Sequence, residues 1–256
     1  MKNSKKIGNG IFTRIYNQFI HNCKKTGIIS FFFLCLVFLF SNNVFSQYFF
    51  LKHYETKEAL ELDANKIIAD FSQFVKNKGY SMPDIPKVKI QTEPFLIKLD
   101  KPNNVIIVPY WKDLTNEQKE IFKSWWGDNA EEQFTLMFNW FFIAHELGHY
   151  ISPMIHDLNP YQCEKEANEV AVTFFRRNSA NIEKLDYVEK SLKQVLEMLP
   201  KIDFGNLSEA EYFNANYKKI GNIPNLYGYF QIKFVLNALN NHEDFSIKHY
   251  FEEQTK

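Results

Sequence analysis

The sequence predicts an α+β fold that is mostly helical, with a small N-terminal sheet packed on one buried helix. Apolar residues recur at helical spacing over most of the chain beyond residue 115, which favours helices there. Three short segments rich in branched residues lie between residues 87 and 110 and are typical of strands. No repeat, low-complexity tract or second linker divides residues 47–256, so one domain of ordinary size is expected.

The first elements of this domain are an amphipathic helix and the sheet. The helix is expected from Thr56 to Lys78, where apolar residues recur at helical spacing, and Gly79 supplies a C-terminal stop. Pro83 and Pro86 then break the chain. The strands are expected in the segments KVKIQ, FLIKL and NNVIIVPY, so the sheet precedes the central helix.

Capping signals place most of the other helices. Thr115 with Gln118 forms a capping box for a helix that runs to about Ser124 and is closed by Gly127. The later helices are one capped by Asn159 with Pro160 at its first position, one over residues 182–199, one capped by Ser208 with Glu211, and a last apolar helix from Asn225 to Leu239.

The helix that organises the chain is expected over FTLMFNWFFIAHELGH, from Phe134 to His149. Residues four apart on a helix lie one above the other, so His145 and His149 can bind a single metal ion together. Glu146 directly follows the first histidine and can take a proton from a water molecule that the metal has made more acidic. The motif therefore supplies two metal ligands and a general base.

The residues before the motif favour a buried helix. Asp128 or Asn129 is expected to cap it. Burying two histidines and a glutamate without a metal would leave polar groups in need of partners, although both histidines could be core residues satisfied by hydrogen bonds. The apolar residues that share one helical face and lead round to the histidines are Phe134, Met137, Phe138 and Phe141.

A catalytic zinc ion takes three protein ligands and keeps one position open, so one more ligand is needed. The longer motif HxxGxxH would need a histidine at position 155, but this residue is Ile155. Glu164 on the next helix lies within about 40° of the centre of the apolar face. Glu166 and Glu169 are expected to be solvated on the far side. Asn168, one turn after Glu164, is expected to accept a hydrogen bond from the outer nitrogen of a ligating histidine.

HELGH followed by EKEAN resembles the glutamate zincins, zincin-type metallopeptidases in which HExxH is completed by the first Glu of an ExxxD or ExxAN motif on a following helix. The resemblance covers roughly residues 129–177 and is shared with small bacterial proteins inferred to be metallopeptidases. It implies a zincin-like domain over residues 47–256 that uses one catalytic Zn²⁺ ion to hydrolyse a peptide or protein substrate. The residues it implies are His145, His149 and Glu164 as metal ligands, Glu146 as the catalytic general base, and Asn168 at a position often held by Asp.

Three questions about this function stay open in the sequence. The domain is expected to be an enzyme, and the alternative is a non-catalytic zincin-like domain with a structural zinc or a partner-binding role. A peptidase also needs a donor for the developing oxyanion, and Tyr150, Tyr227 and Tyr229 qualify by residue type alone. The strand NNVIIVPY either offers its edge to an extended substrate, as zincin sheets do, or is an ordinary buried strand.

Residues 1–46 are expected to be a signal peptide or an N-terminal membrane anchor. A basic, polar lead is followed by an apolar run from Ile28 to Phe40, which is short for a membrane span and typical of a secretory signal, with a mature start at Gln47. Alternatively, the apolar region continues to Leu51 and residues 28–50 associate with a membrane. The first case predicts an exported protein, periplasmic or secreted, and the second a single-pass protein with its domain outside the cytoplasm.

Charge and cysteine content narrow the function classes further. Residues 1–46 contain six Lys or Arg and no acid, so the remaining 24 basic and 30 acidic residues give the body a net charge of about −6. A mildly acidic body argues against a nucleic-acid partner. Only Cys163 lies in the body, so no disulfide framework is expected.

Overall fold

The computed structural model describes residues 52–93, 95–152 and 158–241. The expected signal peptide or anchor at residues 1–46 lies outside this part of the chain. In chain order the helices and strands are α1 (Lys57–Asn77), β1 (Lys87–Ile90), β2 (Lys98–Asp100), β3 (Val105–Val108), α2 (Asn116–Trp126), α3 (Ala130–Leu136), α4 (Phe142–Ile151), α5 (Pro160–Arg176), α6 (Ile182–Met198), α7 (Glu209–Ile220) and α8 (Pro224–Asn240).

The predicted mostly helical α+β fold is confirmed. Among these helices, none combines the length and the apolar character that crossing a bilayer requires. The sheet has the order β1-β3-β2, with β1 parallel and β2 antiparallel to β3. Helix α4 contacts β2, β3 and α1 as well as α5, so the sheet packs on the helix that carries HELGH, as expected.

The position of β3 answers one question that the sequence left open. The segment NNVIIVPY contains β3, which is paired on both sides and buries Ile106 and Val108 completely. Its backbone groups are therefore used within the sheet, and it is an ordinary buried strand. The sheet edge next to the HELGH helix belongs to β2 instead.

Most of the predicted caps are present. Thr115 and Ser208 form complete capping boxes, and the Asn159 side chain accepts a hydrogen bond from the backbone N–H of Gln162. The expected cap at Asp128 or Asn129 is absent. Asn129 precedes α3 without a capping hydrogen bond, because a 3₁₀ turn over Gly127–Asn129 already leads into the helix.

Helices α3 and α4 are joined by one π-helical turn, Met137–Phe141. Such a turn places one extra residue in an otherwise continuous helix and is frequent near functional sites. After it, every residue from Phe142 to Gly148 is buried. The helix is thus buried on all sides around the motif, and the predicted apolar stripe is only part of its buried surface.

Candidate metal centre

The close approach of α4 and α5 brings the two halves of the site together. A Cβ atom added to Gly148 would lie 2.8 Å from the Cα atom of Ala167 and 3.0 Å from its carbonyl oxygen. Only glycine fits such a contact between two backbones. Gly148, the motif residue directly before His149, therefore sets the spacing of these helices.

At this crossing the three ligands expected from the sequence meet. The Nε2 atoms of His145 and His149 lie 3.4 and 3.6 Å from Oε2 of Glu164. One ligand atom from each residue falls within 4.8 Å of the others, and the three could hold a metal ion. His145 is 3% exposed and Glu164 is 6% exposed, so the group is largely shielded from solvent.

The charges of this group are coupled. Burial alone would raise the pKa of Glu164, but the charge of His149 and hydrogen bonds from both histidines hold that pKa well below its usual value. Burial lowers the pKa of His149, and the Glu164 carboxylate outweighs this effect and raises it. Without a metal, Glu164 and His149 therefore favour an ion pair.

Helix α8 supports Glu164 through Gln231, a residue that sequence reasoning missed. Its Nε2 atom donates a hydrogen bond of 2.9 Å to Oε2 of Glu164, and both side chains are buried. Gln231 lies 67 residues further along the chain and belongs to no motif. The only sequence signal was a polar residue within the apolar segment NLYGYFQIKFVLNAL.

The expected general base lies on the sheet side of the site. Glu146 is 8% exposed, and its Oε2 atom accepts a hydrogen bond of 2.8 Å from the backbone N–H of Leu99. Leu99 lies in β2, the edge strand beside α4. The sheet therefore fixes the orientation of the Glu146 carboxylate.

Asn168 does not make the hydrogen bond that the sequence predicted. Its Nδ2 atom donates to the backbone carbonyl of Glu164 at 2.8 Å, a bond to the preceding helical turn that Asn often forms. Its Oδ1 atom and Nδ1 of His145 are both buried without a partner among the described residues. Two unpaired polar atoms in the interior are costly, and a histidine that ligates through Nε2 needs a partner at Nδ1.

His145, His149 and Glu164, which could hold a metal ion, are called the metal-binding group. The other two glutamates of α5 do not belong to it. The prediction that Glu169 is solvated is wrong, because only 9% of this residue is exposed. The C-terminal end of α8 covers this part of α5, where Arg176 donates hydrogen bonds to the carbonyls of Leu239 and Asn241. Lys165 lies 3.8 Å from the Glu169 carboxylate on the other side.

Of the three tyrosines considered as oxyanion donors, the structure brings only Tyr227 to the site. Tyr227 lines the same cavity as His145 and Glu146. Burial raises its pKa well above the usual value, and the carboxylates of Glu164 and Glu146 add to this effect. The hydroxyl group of Tyr150 donates a hydrogen bond to the backbone carbonyl of Asp84, in the segment before β1. Tyr229 packs against Phe230.

A cavity of about 310 Å³ opens beside His145 and Glu146. Its walls are mainly apolar and come from α2, the π turn, α6 and α8, together with the segment before β2. The residues that line it include Phe95, Ile121, Phe122, Trp125, Trp126, Met137, Phe138, Leu192, Tyr227, Ile232 and Val235. This cavity was not predicted, since its walls come from residues far apart in the chain.

Comparison with known proteins gives no match: no family model, no curated protein and no solved structure corresponds to this chain. The resemblance to the glutamate zincins therefore rests on HELGH and EKEAN alone and remains a prediction.

Proposed function

We propose that this protein is a zinc-dependent peptidase, exported from the cytoplasm, that hydrolyses peptide bonds of a peptide or protein substrate. The observation that carries the proposal is the buried group of His145, His149 and Glu164, whose ligand atoms lie within 4.8 Å of one another. Glu146 stands beside this group and lines the adjoining cavity. Both parts are needed, because a metal site without a base or an entry would have no hydrolytic use.

The donor atoms fit zinc. Two imidazole nitrogens and one carboxylate oxygen form a set used by catalytic zinc sites, which leave a further position for water or substrate. When bound, zinc lowers the pKa of a coordinated water to about 7 and polarises a carbonyl group.

The protein's own residues supply the proton transfers. Glu146, oriented by the N–H of Leu99, accepts a proton from the attacking water and delivers it to the leaving amine. Tyr227 stays protonated because burial and two nearby carboxylates raise its pKa, so it can donate a hydrogen bond to the developing oxyanion. Gln231 holds the carboxylate of Glu164 toward the histidines.

The metal content of the purified protein tests the site first. We expect about one zinc ion per chain, measured by mass spectrometry of the ion, and loss of most of it in Glu164→Ala. Glu169→Gln is the matched control, because Glu169 is a buried glutamate on the same helix outside the metal-binding group. A parent protein that takes up no zinc, even after refolding with it, would overturn the proposal.

Cleavage of a peptide library tests the chemistry. We expect Glu146→Gln to keep its zinc and to lose cleavage by about 10²–10⁴-fold, the usual contribution of a general base. Equal cleavage by parent and variant would exclude Glu146 as the base.

One observation favours a second candidate, a non-catalytic zincin-like domain in which zinc is structural or the site binds a partner. The hydrogen bond from Leu99 ties Glu146 into the sheet, as a purely structural glutamate would be tied. This candidate predicts bound zinc without cleavage of any library peptide. The peptidase predicts cleavage by the parent and its loss in Glu146→Gln.

A further inference from the structure

We infer that the apolar cavity beside Glu146 is a substrate pocket that receives a large aromatic or long aliphatic side chain of the peptide next to the cleaved bond. The inference rests on the proposed peptidase function and adds the class of substrate to it. It concerns the residues that line the cavity, of which only His145 is an expected metal ligand.

The size of the cavity suits one large side chain. An engineered cavity of about 150 Å³ lined by apolar residues is enough to bind benzene, and this one measures about 310 Å³. It lies at the lower end of the range for small-molecule pockets, about 300–1,000 Å³. A phenylalanine, tryptophan or leucine side chain fits this volume together with part of its backbone.

The chemistry of the walls favours an apolar group. Phe122 makes ring contacts with both Trp125 and Trp126, at centroid distances of 5.9 Å each. Phe138 adds a further ring at 5.5 Å from Phe122. Trp125 and Trp126 are partly exposed, so their rings can make stacked or edge-on contacts with another ring, each worth more than simple burial.

The cavity borders the reacting group. His145 and Glu146 contribute to the same cavity as Trp125 and Val235. A peptide whose side chain fills the apolar part therefore has its backbone near Glu146. This arrangement couples the identity of one residue to the position of the scissile bond.

Binding is measured separately from cleavage so that the two proposals can fail independently. The zinc-loaded Glu146→Gln protein, which does not turn over, is titrated with blocked Ala-Phe-Ala and Ala-Ala-Ala peptides and followed by tryptophan fluorescence. We expect the phenylalanine peptide to bind at least about tenfold more tightly, because a pocket discriminates apolar groups of different size by about 10–200-fold. In the Glu146-containing protein, library cleavage should show the same preference at one position.

Variants of the wall make the test specific. Val235→Phe places a ring in the cavity from a fully buried position and should abolish the preference while zinc content stays unchanged. If Val235→Phe does not fold, Trp126→Ala enlarges the cavity and should weaken binding of the phenylalanine peptide. Trp140→Ala is the control, since Trp140 stacks on Phe175 away from the cavity and its loss should leave the preference intact.

Each outcome decides one of the two proposals. No preference in binding or cleavage, or a preference that survives both wall variants, overturns the pocket, and cleavage by the parent would still support the peptidase. A binding preference in a protein that cleaves no peptide supports the pocket and overturns the peptidase. Tighter binding of decanoate than of the phenylalanine peptide also overturns the pocket as a peptide site.

Discussion

The metal-binding group and the apolar cavity share a border at His145 but are built in different ways. The three ligands lie on two consecutive helices, within 20 residues of sequence, whereas the cavity walls come from residues between Phe95 and Val235. Each region also depends on one glycine. Gly148 lets two backbones touch in the metal-binding group, and Gly228 faces the end of the Trp125 side chain in the cavity.

The contact at Gly148 is therefore the more rigid of the two, and the contact at Gly228 is the more adaptable. A backbone cannot move without shifting its whole helix, while the end of a side chain can change rotamer. The three residues that could hold a metal ion are thus positioned by the least deformable contact of the site. The proposed selectivity depends on contacts that single substitutions can reshape. The following four changes test this contrast.

Gly148→Ala should have the largest effect. The added Cβ atom would lie 2.8 Å from Ala167 Cα, so α4 and α5 must separate, and overpacking of this kind costs about 1–3 kcal/mol in the free energy of unfolding. We expect lower stability in urea unfolding together with lost zinc. Gly221→Ala is the control, because its nearest neighbour would be at 3.9 Å. Unchanged zinc content in Gly148→Ala would contradict the importance of this contact.

Gln231→Ala should weaken the metal-binding group without changing its ligands. The substitution removes the hydrogen bond to Oε2 of Glu164, and loss of such an outer partner lowers metal affinity by roughly 10–100-fold. Competition with a zinc chelator measures the affinity. Asn237→Ala serves as the control, because Asn237 lies on the same helix but outside the metal-binding group. Equal affinities of parent and Gln231→Ala would show that Gln231 does not position Glu164.

Gly228→Ala should affect the cavity and spare the metal-binding group. A Cβ atom there would lie 2.7 Å from the far end of the Trp125 ring, so the ring must move. We expect a changed tryptophan fluorescence and an altered preference for apolar side chains, with normal zinc content. Stability should change by less than about 1 kcal/mol, because alanine favours a helix over glycine by about that amount. Loss of zinc in this variant would contradict the separation of the two regions.

Asp63→Asn should have the smallest effect and marks a change outside both regions. Burial raises the pKa of Asp63, but hydrogen bonds from Lys52 and Lys66 prevail and lower it. The pKa of Asp63 is lower in the folded protein than in the unfolded chain, where it is about 4. The ionised side chain therefore stabilises the folded state above about pH 4, and this contribution is lost as the pH falls through the folded-state pKa. The difference between parent and variant in unfolding free energy should be below about 1 kcal/mol at pH 7 and should shrink toward pH 3. A difference that grows on acidification would contradict this sign.

The parts that the sequence predicted well depend on local spacing. Capping boxes at Thr115 and Ser208 involve residues three apart, and the HELGH ligands are four apart, so a helix alone defines their geometry. The helical face of α5 also placed Glu164 on the buried side, where its carboxylate lies close to the two histidines. That zinc binds there and that peptides are cleaved remain predictions.

The parts that the sequence did not predict depend on contacts between distant elements. The bonds of Gln231 to Glu164 and of Leu99 to Glu146 join residues 67 and 47 positions apart. The burial of Glu169 follows from the C-terminal end of α8, and no periodicity within α5 could reveal it. Asn168 was placed on the correct face, but whether its Oδ1 atom meets the outer nitrogen of a histidine depends on side-chain torsions that sequence spacing does not define.

The π turn between α3 and α4 has a consequence for chain length. Met137 and Phe138 of this turn line the cavity, while His145 follows seven residues after Phe138. Deleting the extra residue would restore a regular helix and keep the orientation of α3 relative to HELGH, because the wider turn already absorbs that residue. Phe134 would then keep its ring contact with Phe122, at 5.0 Å, while Met137 and Phe138 would shift in the cavity wall. A homologue that is one residue shorter at this point is therefore expected to keep both histidines and to have a differently shaped pocket.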